Sequence, residues 1–103
     1  MNRQDKKSLA EITRAIQNAL PELRQQYGVR DMWLFGSYVR AEQDSESDLD
    51  ILVTFDNPHL SLLEFIQMEY ELSDLLGVKV DLVERDTLKP DIGKRILDEA
   101  KAI

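Results

Sequence analysis

The run Leu34-Phe35-Gly36-Ser37-Tyr38-Val39-Arg40, followed by Ser47-Asp48-Leu49-Asp50-Ile51-Leu52-Val53, decides how this chain folds. It reads as the end of an apolar strand, a Gly-Ser turn, a polar loop, and a strand carrying two aspartates. Side chains of a strand alternate faces, so Asp48 and Asp50 point the same way and Leu49, Ile51 and Val53 point to a core on the other. Two carboxylates side by side repel, and burial raises the pKa of one of them. A divalent cation between them removes that cost. Hard oxygen ligands suit Mg²⁺, which keeps several waters and recruits substrate phosphates. Gly36 has no Cβ to keep a phosphate away from the backbone. Ser37 adds a hydroxyl and an N–H, and Arg40 a forked guanidinium for the same phosphates. The plainer alternative is a turn followed by solvated aspartates, and the combination of Gly-Ser, Arg40 and the paired aspartates argues against it.

Gly36-Ser37, ten intervening residues and Asp48-x-Asp50 resemble the signature of the DNA polymerase β-type nucleotidyltransferase superfamily. The short length and the closing run Lys89-Pro90 with Arg95-Ile96-Leu97-Asp98-Glu99-Ala100 are similar to its minimal branch, the MNT domain. That branch includes the antitoxins of HEPN/MNT toxin–antitoxin pairs. One departure is visible: Ala41 stands where these proteins commonly have a glycine after the arginine.

The chain has 103 residues, 43% of them hydrophobic and 32% charged, which fits one small folded domain over residues 1–103 and argues against disorder. Thirteen Lys and Arg against 20 Asp and Glu leave a formal charge of −7, which opposes broad binding to a nucleic acid backbone. A long nucleic acid partner is therefore disfavoured relative to a metal-chelated nucleotide. There is no cysteine, so disulfides and thiolate metal sites are excluded. The first residues carry no signal-peptide core and no apolar run approaches membrane-spanning length; a cytoplasmic protein without a membrane partner is expected.

Ser8-Leu9-Ala10-Glu11 is a capping box that opens a helix with Leu9, Ile12, Ile16, Ala19, Leu20, Leu23 and Tyr27 on its buried stripe. Pro21 predicts either a kink or the start of a second short helix ending at Gly28. Asp31 to Phe35 is predicted as the first strand, with Trp33 a core residue. The second strand runs from about Asp48 to Phe55, where Asp56-Asn57-Pro58 breaks it. Glu42, Asp44 and Glu46 read as a solvated loop, and His59, the single histidine, as a helix-approach residue with no metal-ligand or catalytic role. Ser61-Leu62-Leu63-Glu64 is a second capping box. Its helix should bury Leu62, Phe65, Ile66, Leu72 and Leu76, widened by Leu63 and Tyr70, and stop at Gly77. Val78 to Val83 alternates as a third strand that brings Asp81 beside Asp48 and Asp50 if the two strands are neighbours. Pro90 and Asp91 open a last helix with Ile92, Ile96, Leu97 and Ala100 as its stripe. The sum is an α+β fold, a short mixed sheet with helices packed on one side, as the resemblance to polymerase β-like nucleotidyltransferases also implies.

The resemblance implies transfer of a nucleoside monophosphate, AMP from ATP, with two Mg²⁺ ions bound alongside the nucleotide. Asp48, Asp50 and Asp81 would then be the catalytic metal ligands, and Gly36, Ser37 and Arg40 would hold the outer phosphates. A chain of this length has room only for the catalytic head, so another molecule presents the acceptor. In the resemblance that partner is a HEPN toxin ribonuclease, modified on a tyrosine within a hetero-oligomer. Two rivals stay open: a binding module that silences its partner by contact alone, and a transferase acting on a small molecule or an RNA end. Tyr38 suits a base-stacking, a structural or a partner-facing role.

Overall fold

A computed structural model describes residues 8–44 and 46–103. Helix α1 (Leu9–Tyr27) leads into β1 (Val29–Phe35), β2 (Leu49–Phe55), α2 (Leu62–Leu76), β3 (Val80–Glu84), a 3₁₀ turn (Arg85–Thr87), α3 (Pro90–Glu99) and β4 (Lys101–Ala102). The sheet order is β3-β2-β1-β4, with β1 antiparallel to β2 and β4, and β2 parallel to β3. This is the mixed sheet of an α+β fold.

Local chemistry sets the helix ends. Ser8 and Ser61 each form a complete capping box, with Glu11 and Glu64 returning to the cap N–H groups. Gly28 and Gly77 close α1 and α2 in the left-handed conformation. Pro21 neither divides α1 nor starts a new helix; it lies inside one continuous 19-residue helix. The stripe of α1 carries the chain through, since Ile16 before Pro21 and Leu23 and Tyr27 after it are all buried in the same core.

That core lies between α1, α2 and one sheet face. Ile12, Ile16, Met68, Leu72 and Leu76 pack against Leu34, Leu49, Ile51, Val53 and Val80. The Tyr27 hydroxyl donates to the Glu71 carboxylate and ties α1 to α2. Burial first, then that bond, drives the phenol well above its ordinary pKa.

Two expectations about packing fail. Trp33 is half-buried and outside the main core, with the Arg85 guanidinium 5.8 Å from its ring centroid. Strand alternation is the reason: Met32 and Leu34 take the core face, which leaves Trp33 on the other. The α2 stripe is also rotated from the predicted one. Met68, Leu72 and Leu76 are buried, whereas Leu62, Leu63, Ile66 and Tyr70 face outward.

β3 forms one edge of the sheet, and α2 covers its outward donors. The Val80 N–H donates to Ser73 Oγ at 3.0 Å and the Leu82 N–H to Glu69 Oε2 at 2.8 Å. An open edge is thereby closed by side chains, and the backbone on both sides of Asp81 is held. Among the described residues, no helix is long and apolar enough to cross a membrane.

Candidate active site

The end of β1 and the starts of β2 and β3 meet at one place. In the parallel pairing Asp50 stands opposite Asp81, and in the antiparallel pairing it stands opposite Phe35, just before Gly36. Neighbouring strands lie roughly 4.8 Å apart, so the register itself makes the two carboxylates neighbours. Asp48 precedes β2, half-exposed, with Lys79 Nζ 4.0 Å from its Oδ2. The Leu49 N–H donates to the Lys79 carbonyl at 2.8 Å and fixes how this segment enters the sheet.

Asp50 is held in a perturbing environment. Burial is the main cause that pushes its pKa upward; the charges of Asp81 and then Asp48 add to it, and Arg40 opposes them. The carboxylate is thus kept where its own charge is disfavoured, beside two other acids. Among the described residues, no group of three acidic or imidazole side chains closes into a complete metal cage. This donor set fits Mg²⁺, a hard cation that binds through one or two carboxylates and completes its shell with water and substrate phosphate. Asp50 and Asp81 would hold it, with Asp48 alongside.

Gly36 has a reason that sequence alone did not disclose. It sits at φ +82°, and a Cβ built there would overlap Oδ2 of Asp50 and stand 3.0 Å from its Cγ. The Asp50 carboxylate occupies the space a side chain would fill. After Gly36 the chain coils through a helical turn, with Val39 N–H and Arg40 N–H both donating to the Gly36 carbonyl and Glu42 N–H to that of Ser37. Neither the Ser37 hydroxyl nor its N–H bonds another described residue. Tyr38 is 2% exposed and belongs to the core, so it anchors this turn and offers no face for stacking.

Arg40 reaches into the acidic ring around the site. Its Nε donates to Glu42 at 2.8 Å and its NH1 to Glu99 at 3.1 Å. The bond it donates to Glu42, above all, favours the charged guanidinium and raises its pKa further. Glu99, at the end of α3, is a site neighbour that its position in sequence did not reveal. Glu42 and Asp44 stay within the loop, Asp44 accepting from Ser47 and from the Glu46 N–H. His59 lies exposed beyond the far end of β2.

Ala41 takes a left-handed conformation, φ 59°, as the one non-glycine among the described residues to do so. A Cβ in that region costs roughly 1–2 kcal/mol, partly offset by the freer unfolded chain of glycine. Ala41→Gly should therefore stabilise the protein by about 0.5–1 kcal/mol in urea unfolding. A loss of stability would show that the turn does not impose this backbone.

A cavity of about 660 Å³ lies at the other ends of β2 and β3, lined by Phe55, Leu60, Phe65 and Leu82 among others. It contains none of Asp48, Asp50 and Asp81, so the candidate site is the open carboxylate edge and not this hollow.

Known proteins share this fold. The family model described as a nucleotidyltransferase domain matches residues 16–103. The protein adenylyltransferase MntA of Thermococcus cleftensis is 47% identical over 92 residues, which cover 89% of this chain and 92% of that one. A solved structure described as a minimal nucleotidyltransferase superposes with a TM-score of 0.77 at 34% identity, over 97% of this chain and 98% of the other. A chain from the complex of the tri-AMPylated HEPN toxin of Shewanella oneidensis with its MNT antitoxin shares the fold, with a TM-score of 0.64 at 21% identity and coverage of 88% and 70%. With a carboxylate pair in register, a Gly-Ser turn against it and a family match over most of its length, this chain belongs to the nucleotidyltransferase domain family, on its minimal branch.

Proposed function

We propose that the chain is a protein adenylyltransferase and antitoxin: it moves AMP from ATP to a tyrosine hydroxyl of a HEPN-type ribonuclease partner, in the cytoplasm. The observation that carries the site is the Asp50–Asp81 register with Gly36 packed on the Asp50 carboxylate. The relative called MntA supports the acceptor class, and the fold shared with a chain of the AMPylated toxin complex supports the partner.

In the reaction, the acceptor oxygen attacks the α-phosphorus of ATP. The bond from that phosphorus to the oxygen bridging to the β-phosphate breaks, and pyrophosphate leaves. Asp81, more exposed than Asp50, faces the acceptor side and takes up the hydroxyl proton. Asp50, with Asp48, lies beneath the reacting phosphate. Ser37 offers its hydroxyl and N–H, with the Gly36 backbone, to the β- and γ-phosphates. Held by Asp50 and Asp81 with Asp48 alongside, two Mg²⁺ ions would neutralise phosphate charge and lower the pKa of the attacking hydroxyl.

Arg40 exchanges partners in this scheme, from Glu42 and Glu99 to the outer phosphates. Because exposed ion pairs contribute little, the exchange favours phosphate. Arg40→Ala should weaken ATP binding about tenfold and AMP binding far less, as read by calorimetry with metal. Equal losses for both nucleotides would remove Arg40 from the outer phosphates.

The transfer itself is tested with the HEPN partner, ATP and Mg²⁺. Intact mass should rise by one or more AMP units on the partner, with its ribonuclease activity falling in step, and Asp48→Asn should bind the partner without changing its mass. Silencing without ATP and without a mass change would favour neutralisation by contact. Labelling of RNA in place of protein would move the acceptor to nucleic acid.

A further inference from the structure

Helix α2 presents apolar side chains to solvent along one flank: Leu62 is 74% exposed, Leu63 78%, Ile66 36% and Tyr70 70%. Leu62, Ile66 and Tyr70 are spaced four apart, and Leu63 lies beside the last two, so they form one stripe. The next ridge of the helix carries Glu69 and Ser73, which hold the outward N–H groups of Leu82 and Val80. The stripe therefore runs alongside the edge strand that bears Asp81. At the other end, Leu62 joins the 660 Å³ cavity floored by Phe55, Phe65 and Leu82. A stripe of large side chains continuous with a hollow is the form of a protein-binding surface, with anchors and a pocket.

We propose that this stripe and cavity are the docking surface for the protein that carries the acceptor hydroxyl, and that the docking segment presents apolar side chains flanked by lysine or arginine. The proposal rests on the reading that the acceptor belongs to a partner protein. Charge identifies the occupant. Helix α2 carries Glu64, Glu69, Glu71 and Asp74 and no lysine or arginine, and the cavity adds Glu84 and Asp86. Arg85, between those last two, has its guanidinium over Trp33. A basic partner gains from this ring of carboxylates. A second copy of this chain, itself at −7, would set the same carboxylates against each other. Docking beside β3 also explains how a separate molecule brings its hydroxyl to Asp81, since α2 and β3 are fastened on either side of that residue.

The test uses a HEPN partner and two double variants, Leu62→Ser/Ile66→Ser and Leu63→Ser/Tyr70→Ser. All four side chains are exposed, so circular dichroism and ATP affinity should match the wild type. Affinity for the partner should fall at least about tenfold in each, and AMP transfer at sub-saturating partner should fall with it. Wild-type binding should also weaken as salt rises. Partner affinity unchanged in both variants would overturn the docking surface while leaving the transfer reaction intact. Loss of a dimer of the chain alone, with partner affinity retained, would assign the stripe to self-association and also overturn it. A wild type that neither binds nor modifies any HEPN protein would overturn the acceptor reading itself.

Discussion

Asp50→Asn should lower nucleotidyl transfer by about 10²–10³-fold while raising the thermal midpoint of the metal-free protein at neutral pH. The first effect follows from losing the charge at the centre of the carboxylate group. The second follows from the environment that raises the Asp50 pKa, burial first and then Asp81 and Asp48. Because the folded pKa exceeds the unfolded one, the folded state binds more protons between the two values. Stability from this group is thus fully present below the ordinary aspartate pKa and is lost as pH rises through the raised folded value. Asparagine carries no charge to lose, so the variant should show a flatter dependence of melting temperature on pH across that window. Added Mg²⁺ should stabilise wild type and leave Asp50→Asn nearly unchanged. A variant that melts lower than wild type at pH 7 without metal would mean that the acidic neighbours do not strain this position.

Gly36→Ala should remove activity to a similar extent but with the opposite effect on stability. The new Cβ meets the Asp50 carboxylate, and the backbone at φ +82° disfavours any side chain. The left-handed conformation alone costs roughly 1–2 kcal/mol, and displacing Asp50 adds to it. The two contributions separate in a double-mutant cycle. In an Asp50→Ala background the overlap with the carboxylate is gone and only the 3.3 Å approach to Cβ is left, so Gly36→Ala should cost less there, with a coupling of about 0.5–3 kcal/mol. Additive costs would show that Asp50 and Gly36 do not share this space.

Much of this fold was legible because local signals and periodicity agreed. Both capping boxes, the left-handed glycine ends and the turn of Leu49, Ile51 and Val53 into the core are short-range chemistry, and each appears where the sequence placed it. The neighbouring positions of Asp50 and Asp81 could be anticipated from strand faces alone once β2 and β3 were taken as neighbours. Other features depended on contacts that no short window contains. The run Met32-Trp33-Leu34-Phe35 is apolar throughout, which hid the fact that Trp33 and Phe35 point away from the core. Helix α2 has apolar residues around much of its circumference, so the pattern could not say that Met68 lies inside and Ile66 outside. The two-residue β4 is too short for any period and exists through its pairing with Trp33 and Leu34. Gly36 was read as room for a phosphate, yet its nearest occupant is a carboxylate 14 positions further on. Glu99 reached the site by the return of α3, which spacing along the chain does not encode.

Diffraction from crystals grown with Mn²⁺ and a non-hydrolysable ATP analogue tests the central claim most directly, because anomalous scattering places the metal independently of the carboxylates. The account predicts metal peaks within coordination distance of Asp50 and Asp81, the outer phosphates over Gly36 and Ser37, and Arg40 turned from Glu99 toward them. A nucleotide seated in the cavity of Phe55, Phe65 and Leu82, or a metal that leaves Asp50 untouched, would contradict it.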